Sequence, residues 1–334
     1  MDDRALLLQL IAGPVSGDAL ARASGQTRAA VWKRIQALRE AGLPIEAQAG
    51  RGYALAQPLD LLDATAIRAA LPAGVQTGLA GLEVAWTLDS TNTELLRRLA
   101  PEHGAVALLA ERQTGGRGRR GREWASPLAA HVYLSVARQF SAGLARLGGL
   151  SLVAGIAGAE ALQALGFGRV RLKWPNDLVA VDGDGGLRKL GGVLVEGGGE
   201  HAGPARAVIG LGINVRMPAA VAARIDQPWC DLAGLAAPAS APTRNAVAAA
   251  VLARLLPALE EFDATGLEPF RARYAALDAL AGQPISVHGA TATQHGVALG
   301  LADDGALRVR LDDGHERHCH SGEVSVRRHP GSGA

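Results

Sequence analysis

Ten consecutive residues, Gln113-Thr-Gly-Gly-Arg-Gly-Arg-Arg-Gly-Arg122, hold four glycines and four arginines. Glycine lets backbone amides approach a ligand closely, and arginine presents a planar, permanently charged fork that suits carboxylate and phosphate. The chemistry implied is binding of anions, several in one site. Gly116, Gly118 and Gly121 fit G-x-G-x-x-G literally. The dinucleotide fold is excluded even so, because that motif must open a helix and be followed by an acid about 20 residues on. Here Trp124, Pro127 and a strand-like run follow, with no acid between Trp124 and Ala159. A Walker loop is excluded because no Gly-Lys-Ser/Thr is present. An RNA-binding arginine loop ranks lower, since this segment lies between the strands of a mixed core. Without a ligand, such a loop is expected to be mobile, because its charges repel and its glycines resist ordering.

Three further segments carry polar groups in small or apolar surroundings. Asp89-Ser90-Thr91-Asn92 stands at a strand-to-helix junction, where it serves as a helix cap or as a cluster of donors and acceptors for a small polar group. Lys173-Trp-Pro-Asn176-Asp177 ends a strand in a turn; its Asp beside Lys suits Mg²⁺ on a triphosphate, although Pro, Asn and Asp are ordinary turn residues. Lys189-Leu-Gly-Gly-Val-Leu-Val-Glu196 and Ile209-Gly-Leu-Gly-Ile-Asn214-Val each set polar groups among small and apolar neighbours, as a close-fitting pocket does. Only Lys33, Lys173 and Lys189 are lysines among 34 basic residues, so generic surface charge comes from arginine and each lysine gains a little weight as a chemical group.

These segments need elements to hold them. The first 60 residues read as three helices and a hairpin. Leu6, Leu7, Leu10 and Ile11 have helical spacing, Ser16 and Thr27 can cap two more helices, and Val31, Ile35 and Leu38 share one face. Gly50-Arg51-Gly52 is a natural hairpin tip. That outline is a winged helix-turn-helix. Five basic residues and no acid lie from Arg22 to Arg39. Arg28, Trp32 and Lys33 stand on the third helix for base or phosphate contact, with Arg51 at the wing tip; the competing reading is a protein-interaction module with a solvated basic face. Pro58 and Asp60 mark a boundary. Strands are expected at Glu83–Leu88, Val106–Ala110, Val132–Ala137, Val170–Trp174, Leu178–Val181, Leu190–Val195 and Ala207–Val215, much of the sheet being antiparallel. Helices are expected at Thr93–Leu99, Leu150–Leu165 and Ala246–Glu261. From about residue 280, short strands at Ile285–Val287, Gln294–Leu301, Ala306–Leu311 and Glu323–Val326 describe a small β-barrel.

Composition sets outer bounds. The 334 residues are 48% hydrophobic and 20% charged, a globular composition with room for two or three domains. The net charge of +2 argues against coating nucleic acid along the whole chain, so any basic site is local. Cys230 and Cys319 stand too far apart in sequence for a zinc ribbon or a disulfide scaffold. The N-terminus is acidic with a short apolar run, a poor signal peptide, and Leu147–Ala159 is too short an uncharged stretch to span a bilayer. A cytoplasmic protein with no membrane partner is expected.

In order, DSTN (89–92), GRGRRGR (116–122), KWPNDL (173–178), KLGGVLVE (189–196) and GLGINV (210–215) resemble the bifunctional biotin protein ligases, the biotin operon repressors. With RAAVWKRIQALREAG (28–42), the wing and the C-terminal strands, the likeness covers nearly the whole chain. It implies an α+β chain in three parts: a winged helix-turn-helix DNA-binding domain (1–62), a mixed-sheet biotin/lipoate ligase-type catalytic domain (63–275) and a small C-terminal β-barrel (280–328). The implied reaction is activation of biotin by ATP to biotinyl-5′-AMP, then transfer to one lysine of a biotin carboxyl carrier protein, the carrier subunit of acetyl-CoA carboxylase.

By the same resemblance, Ser90, Thr91, Asn92 and Gln113 line the biotin site, and Arg117, Gly118 and Arg119 clamp ligand and intermediate. Lys189 meets the reacting carboxylate and α-phosphate. Trp124 packs near adenine. Arg122, Asn176, Asp177 and Asn214 are the ATP and Mg²⁺ residues, with Asp177 the metal candidate, and Lys173 braces its turn. Operator DNA and a homodimer formed with biotinyl-AMP complete the implied partners. The Asp182–Arg188 tip is longer than the family pattern and reads as a surface hairpin. His315, His318, Cys319 and His320 superficially suggest a metal, but adjacent strand residues face opposite ways and converge poorly. Two other classes compete: a ligand-sensing transcription factor without catalysis, opposed by the set of Lys189, Asp177 and the arginine loop, and a lipoate-type ligase, opposed by the N-terminal module and the GRGRRGR pattern.

Overall fold

The computed structural model describes residues 2–141, 143–199, 204–237, 241–289, 292–322 and 325–328. The N-terminal unit has three helices, α1 (Asp3–Ala12), α2 (Gly17–Ser24) and α3 (Arg28–Glu40). Asp2, Ser16 and Thr27 cap them, each side chain accepting from a backbone N–H three residues on. Leu6, Leu7, Leu10, Leu20, Val31, Ile35 and Leu38 meet in one buried cluster. The wing is an antiparallel pair, β1 (Ile45–Gln48) and β2 (Gly52–Leu55). Gly52 must be glycine: its φ is +93°, and a Cβ there would lie 2.3 Å from the Val15 carbonyl oxygen. That close approach lets Tyr53 pair back onto Val15 and ties the wing to the helices.

The central unit begins with α4 (Ala64–Ala69) and α5 (Ala73–Thr77), then β3 (Leu79–Leu88), α6 (Thr91–Arg97), β4 (Ala105–Gln113), β5 (Val132–Phe140) and α7 (Leu150–Ala164). It continues through β6 (Val170–Lys173), β7 (Asp177–Val181), β8 (Leu187–Gly199), β9 (Ala205–Ile213), α8 (Ala219–Ala222), α9 (Leu232–Leu235), α10 (Arg244–Thr265) and α11 (Glu268–Leu277). The seven strands run β3-β4-β5-β9-β8-β7-β6, and only β3 with β4 is parallel. On β5, Val132, Leu134 and Val136 join the main core under α7 and α10, while Ala137 turns to the small cluster under α6. The period of two thus gives the sheet one face for the core and another for α6 and the site.

The stretch Leu147–Ala164 is long and apolar enough to cross a membrane by length and composition. Two-thirds of it is buried inside the central unit, which makes it the core helix of that unit. The helix expected at Leu150–Leu165 is α7, Leu150–Ala164; the uncharged stretch Leu147–Ala159 is shorter because Glu160 interrupts the apolar run without ending the helix.

The C-terminal unit is an antiparallel sheet of β10 (Pro284–His288), β11 (Thr293–Leu301), β12 (Leu307–Leu311), β13 (Glu316–Cys319) and β14 (Ser325–Arg328), in the order β13-β12-β11-β10-β14. The sequence reading missed β13; of its last expected strand, Glu323 and Val324 lie outside the described residues. On β13, Cys319 is buried while His318 and His320 face solvent, and no group of three or more metal-ligating side chains occurs among the described residues.

Two joints fix the units. Leu128 donates its N–H to the Ala41 carbonyl at the end of α3, and Leu128 and Ala129 join the N-terminal cluster. Glu111 and Arg244, each 1% exposed, pair at 2.7 Å. Glu111 also accepts the Leu62 N–H at 2.6 Å, so the linker out of the wing is pinned to the catalytic sheet.

Candidate functional site

Ser90 caps α6, and its neighbours Thr91 and Asn92 are almost wholly buried. Asp89 accepts the Ser90 N–H at 2.8 Å. That bond, aided by Arg97, holds the Asp89 carboxyl below the usual carboxylate range. Gln113, at the end of β4, accepts from the Thr91 N–H at 2.9 Å and donates to Ser126 at 3.1 Å. Ser135, on β5, stands 2.7 Å from Thr91 Oγ1 and 2.6 Å from Asn92 Oδ1. The DSTN segment is therefore both a helix cap and the wall of a polar pocket. Sequence reasoning missed Ser135, because one serine inside a hydrophobic strand carries no motif; the alternation of β5 was the only available signal.

Glycines explain the pocket's shape. A Cβ on Gly210 would lie 2.4 Å from Asn92 Oδ1, and one on Gly212 would lie 2.7 Å from the Trp124 ring. Both glycines are on β9, two residues apart and on one face. Asn92 and Trp124 can lie against the sheet only because these positions lack side chains.

The arginine segment folds as a tight hairpin. Gly118 donates to the Arg122 carbonyl at 2.7 Å, Trp124 to Gly116 at 2.9 Å, and Arg120 takes a left-handed φ of +57° at the tip. Arg117 reaches Glu196 at 3.2 Å and Thr93 at 2.9 Å. Arg119 is half-buried, donates to Asn176 Oδ1 at 3.4 Å and to the Ser321 carbonyl, and Arg120 donates to the Gly322 carbonyl at 3.2 Å. The hairpin thus bridges the catalytic sheet and the C-terminal unit. Burial, then repulsion from Arg120, pulls the Arg119 pKa below that of free guanidinium.

Lys189 lies 2.7 Å from Asp177 and 5.5 Å from the centre of the Trp124 ring. Asn176 is fixed by donating to the Val193 carbonyl at 2.7 Å. Lys173 has its pKa lowered by burial, with Asp177 opposing that shift and the cations Lys189, Arg327 and Arg122 adding to it. All these groups line one cleft of about 1270 Å³, which also takes in Ser90, Thr91, Asn92, Gln113, Gly118, Arg122 and Trp124. Eight basic side chains line it (Arg117, Arg119, Arg120, Arg122, Lys173, Lys189, Arg327 and Arg328) against four acids (Glu123, Asp177, Asp184 and Asp226). The cleft is built to take up polyanions. Arg327 and Arg328 come from the C-terminal unit, which sequence reasoning did not connect to the site.

One expected site residue stands elsewhere. Asn214 does not line the cleft; its amide donates to the Cys230 carbonyl at 3.1 Å, and Cys230 in turn donates its N–H to the Lys189 carbonyl. Asn214 therefore braces the strand that carries Lys189. Gly210 and Gly212 face the site, and alternation would place Asn214 on the same face, but it lies past the end of β9, where the chain leaves the sheet. The Asp182–Arg188 hairpin is also more than surface. Arg328 donates to the Gly185 carbonyl, so the tip closes the cleft's outer rim.

In the N-terminal unit, Arg28 and Trp32 line a cleft of about 410 Å³ between α3 and the wing, together with Tyr53 and Gln48. Trp32 is half exposed, and Lys33 and Arg51 are exposed on the same unit. The structure brings the first two to one groove and leaves Arg51 at the wing tip.

Residues 84–214 match the biotin/lipoate A/B protein ligase family, residues 4–54 an HTH domain, and residues 281–327 the biotin protein ligase C-terminal domain. The central unit is thus of the biotin/lipoate protein ligase class. The chain is 39% identical over 314 residues to the bifunctional ligase/repressor BirA of Salmonella typhimurium, spanning 93% of both chains. It is 35% identical over 232 residues to a biotin–[acetyl-CoA-carboxylase] ligase of Paracoccus denitrificans, spanning 66% of this chain and 91% of that one. The solved biotin protein ligase of Aquifex aeolicus in complex with biotin and ATP aligns with a TM-score of 0.60 at 28% identity, over 75% of this chain and 100% of that one. The chain belongs to the family of bifunctional biotin ligase/repressors.

Proposed function

We propose that this chain activates biotin with ATP and passes it to a biotin carboxyl carrier protein, and that its N-terminal unit is a biotin-responsive repressor of biotin synthesis genes. A biotin carboxylate oxygen attacks the α-phosphorus, the bond to the β-phosphate oxygen breaks, and pyrophosphate leaves. The deprotonated amine of one carrier lysine then attacks the acyl carbon, the anhydride C–O bond breaks, and AMP leaves.

The observation that carries this reading is the excess of basic over acidic side chains along a cleft whose far end is the polar Ser90–Asn92 pocket. Two anions must be brought together for the first step. Fixed cations offset their repulsion without reorganising, and a positioned donor is typically worth about 3 to 4 kcal/mol. Ser90, Thr91, Asn92 and Gln113 form the biotin pocket. Arg117, Gly118 and Arg119 clamp biotin and its adenylate. Lys189, drawn from Asp177 to the developing charge, is the main electrostatic group together with Arg119. Arg122, Trp124, Asn176 and Asp177 take ATP, and Asn214 acts on it only through the Lys189 strand. The indole N–H of Trp124 is buried with no partner among the described residues, which suits a donor awaiting a ligand atom.

A Mg²⁺ ion fits as a companion of ATP. Asp177 offers one carboxylate, and a hard cation with few protein ligands completes its shell with phosphate and water. Asp177 would hold it, and it would supply neutralisation of phosphate charge.

Arg28, Trp32, Lys33 and Arg51 are the proposed contacts to operator DNA. A homodimer formed with biotinyl-AMP, which presents two recognition helices, and a cytoplasmic location without membrane attachment belong to the same proposal. Biotin-dependent ATP–pyrophosphate exchange tests the enzyme. Exchange with lipoate alone would support the lipoate-type reading, and no exchange with either would support a pure regulator. Gel shifts with and without biotin and ATP test the DNA arm.

A further inference from the structure

Glu196, on β8, belongs to none of the roles assigned so far. It sits half-buried where two parts of the site meet. One oxygen, Oε2, accepts from Asn92 Nδ2 at 2.9 Å. Both oxygens accept from Arg117 Nη2, at 3.2 Å and 3.4 Å. Asn92 is otherwise held by Ser135 and by the Leu194 carbonyl at 3.2 Å. Arg117 is otherwise held by Thr93, on α6, through the same Nη2. Its Nη1 and Nε have no protein partner among the described residues, and Arg117 lines the cleft.

One carboxylate therefore fixes the amide at the floor of the polar pocket and one corner of the guanidinium on the arginine hairpin. A guanidinium held by one nitrogen is oriented while its other edge stays free for a ligand. We propose that Glu196 is a positioning residue that sets the biotin pocket and the arginine clamp in one geometry, so that filling the pocket and closing the hairpin are a single event. The proposal rests on the ligase reading above and names a residue that acts through Asn92 and Arg117 rather than on the substrate.

The two contacts have different chemistry, and that makes the idea testable. Glutamine keeps a carbonyl oxygen for the Asn92 amide but loses the charge that holds Arg117. Alanine loses both. Three readouts on the full chain separate them: KM for biotin in pyrophosphate exchange, kcat in the same assay, and the release rate of preformed biotinyl-AMP. Glu196→Ala is expected to raise the biotin KM about tenfold and the release rate about tenfold, the scale of one hydrogen bond to a charged group. Glu196→Gln is expected to restore KM to within about threefold of wild type while release stays about fivefold fast. In an Arg117→Ala background, Glu196→Gln should add nothing to the release rate, because its partner is already gone.

Wild-type KM and release in Glu196→Ala would overturn the proposal. So would equal loss on every readout in Ala and Gln variants together with a lowered melting temperature, which is the mark of a purely structural residue. Additive effects in the double variant would overturn it as well. If Glu196→Ala does not fold, the Gln variant and the double variant decide. A wild-type chain without biotin-dependent exchange would instead overturn the ligase reading, independently of position 196.

Discussion

Gly210 and Gly212 allow the two ends of the cleft to be damaged separately. They share one face of β9, yet a methyl group at the first would meet Asn92 and at the second would meet Trp124. The Asn92 amide has little freedom to retreat, being bonded to Ser135 at 2.6 Å and to Glu196 at 2.9 Å. A Cβ placed 2.4 Å from Oδ1 must break one of these bonds or shift the strand. The Trp124 ring would be met at 2.7 Å and pushed off Lys189, over which it now lies. Overpacking of this kind costs about 1 to 3 kcal/mol, or about 5- to 150-fold in an equilibrium constant. Gly210→Ala is expected to raise the biotin KM within that range with the ATP KM nearly unchanged. Gly212→Ala is expected to do the reverse. The assay is pyrophosphate exchange with each substrate varied in turn, on variants whose thermal melts show a folded chain. Both variants raising the same KM, or neither raising any, would refute the assignment of the two ends.

The remaining expectations concern other parts of the chain. Arg119→Gly removes the bridge from the hairpin to Asn176 and to the Ser321 carbonyl, so biotinyl-AMP should escape before transfer; unchanged retention in a trapping assay would contradict this. Glu111→Ala leaves the buried Arg244 with only the more distant Asp60 carboxylate, 3.8 Å away, and frees the Leu62 N–H, a loss expected at about 3 kcal/mol by denaturant unfolding. A change below 1 kcal/mol would show that the linker is not held there, on the scale of exposed pairs at about 0 to 1 kcal/mol. His131 is wholly buried, and burial lowers its pKa to about 3. The unfolded chain takes up that proton near its ordinary pKa of about 6.5 and the native chain does not, so the contribution is complete above that pH and falls by about 1.4 kcal/mol per unit below it, until about pH 3. The slope of stability against pH between 4 and 6 should flatten in His131→Gln, about as far as one proton allows; an unchanged slope would refute the assignment.

Local rules made much of this chain legible. The caps at Ser16 and Thr27, the spacing of Val31, Ile35 and Leu38, and the glycines around Arg51 specify the winged helix-turn-helix without any distant contact. GRGRRGR announced anion chemistry, KWPND a cation beside phosphate, and DSTN and KLGGVLVE a close pocket for a small polar group, because residue type alone fixes charge and hydrogen-bonding capacity. Short helices such as α4 and α11 were missed: their sequences are weakly periodic, and packing on the core supplies their stability.

Partnership across the chain was out of reach of sequence. Ser135 carries no signal in its own neighbourhood, and Glu196 stands in a recognisable segment that does not say what it touches; both meet Asn92 only because β5, β8 and β9 lie side by side in the sheet. Asn214 follows two glycines of the site in sequence, but the end of β9 turns it to Cys230. Arg327 and Arg328 reach the cleft only because the C-terminal sheet docks beside β7 and β8. Residue type and short-range spacing determine what chemistry is possible and which elements form. Which groups share one cleft is decided by strand order and domain docking, because those bring together atoms as far apart in sequence as Arg119 and Ser321, at separations that no local rule constrains.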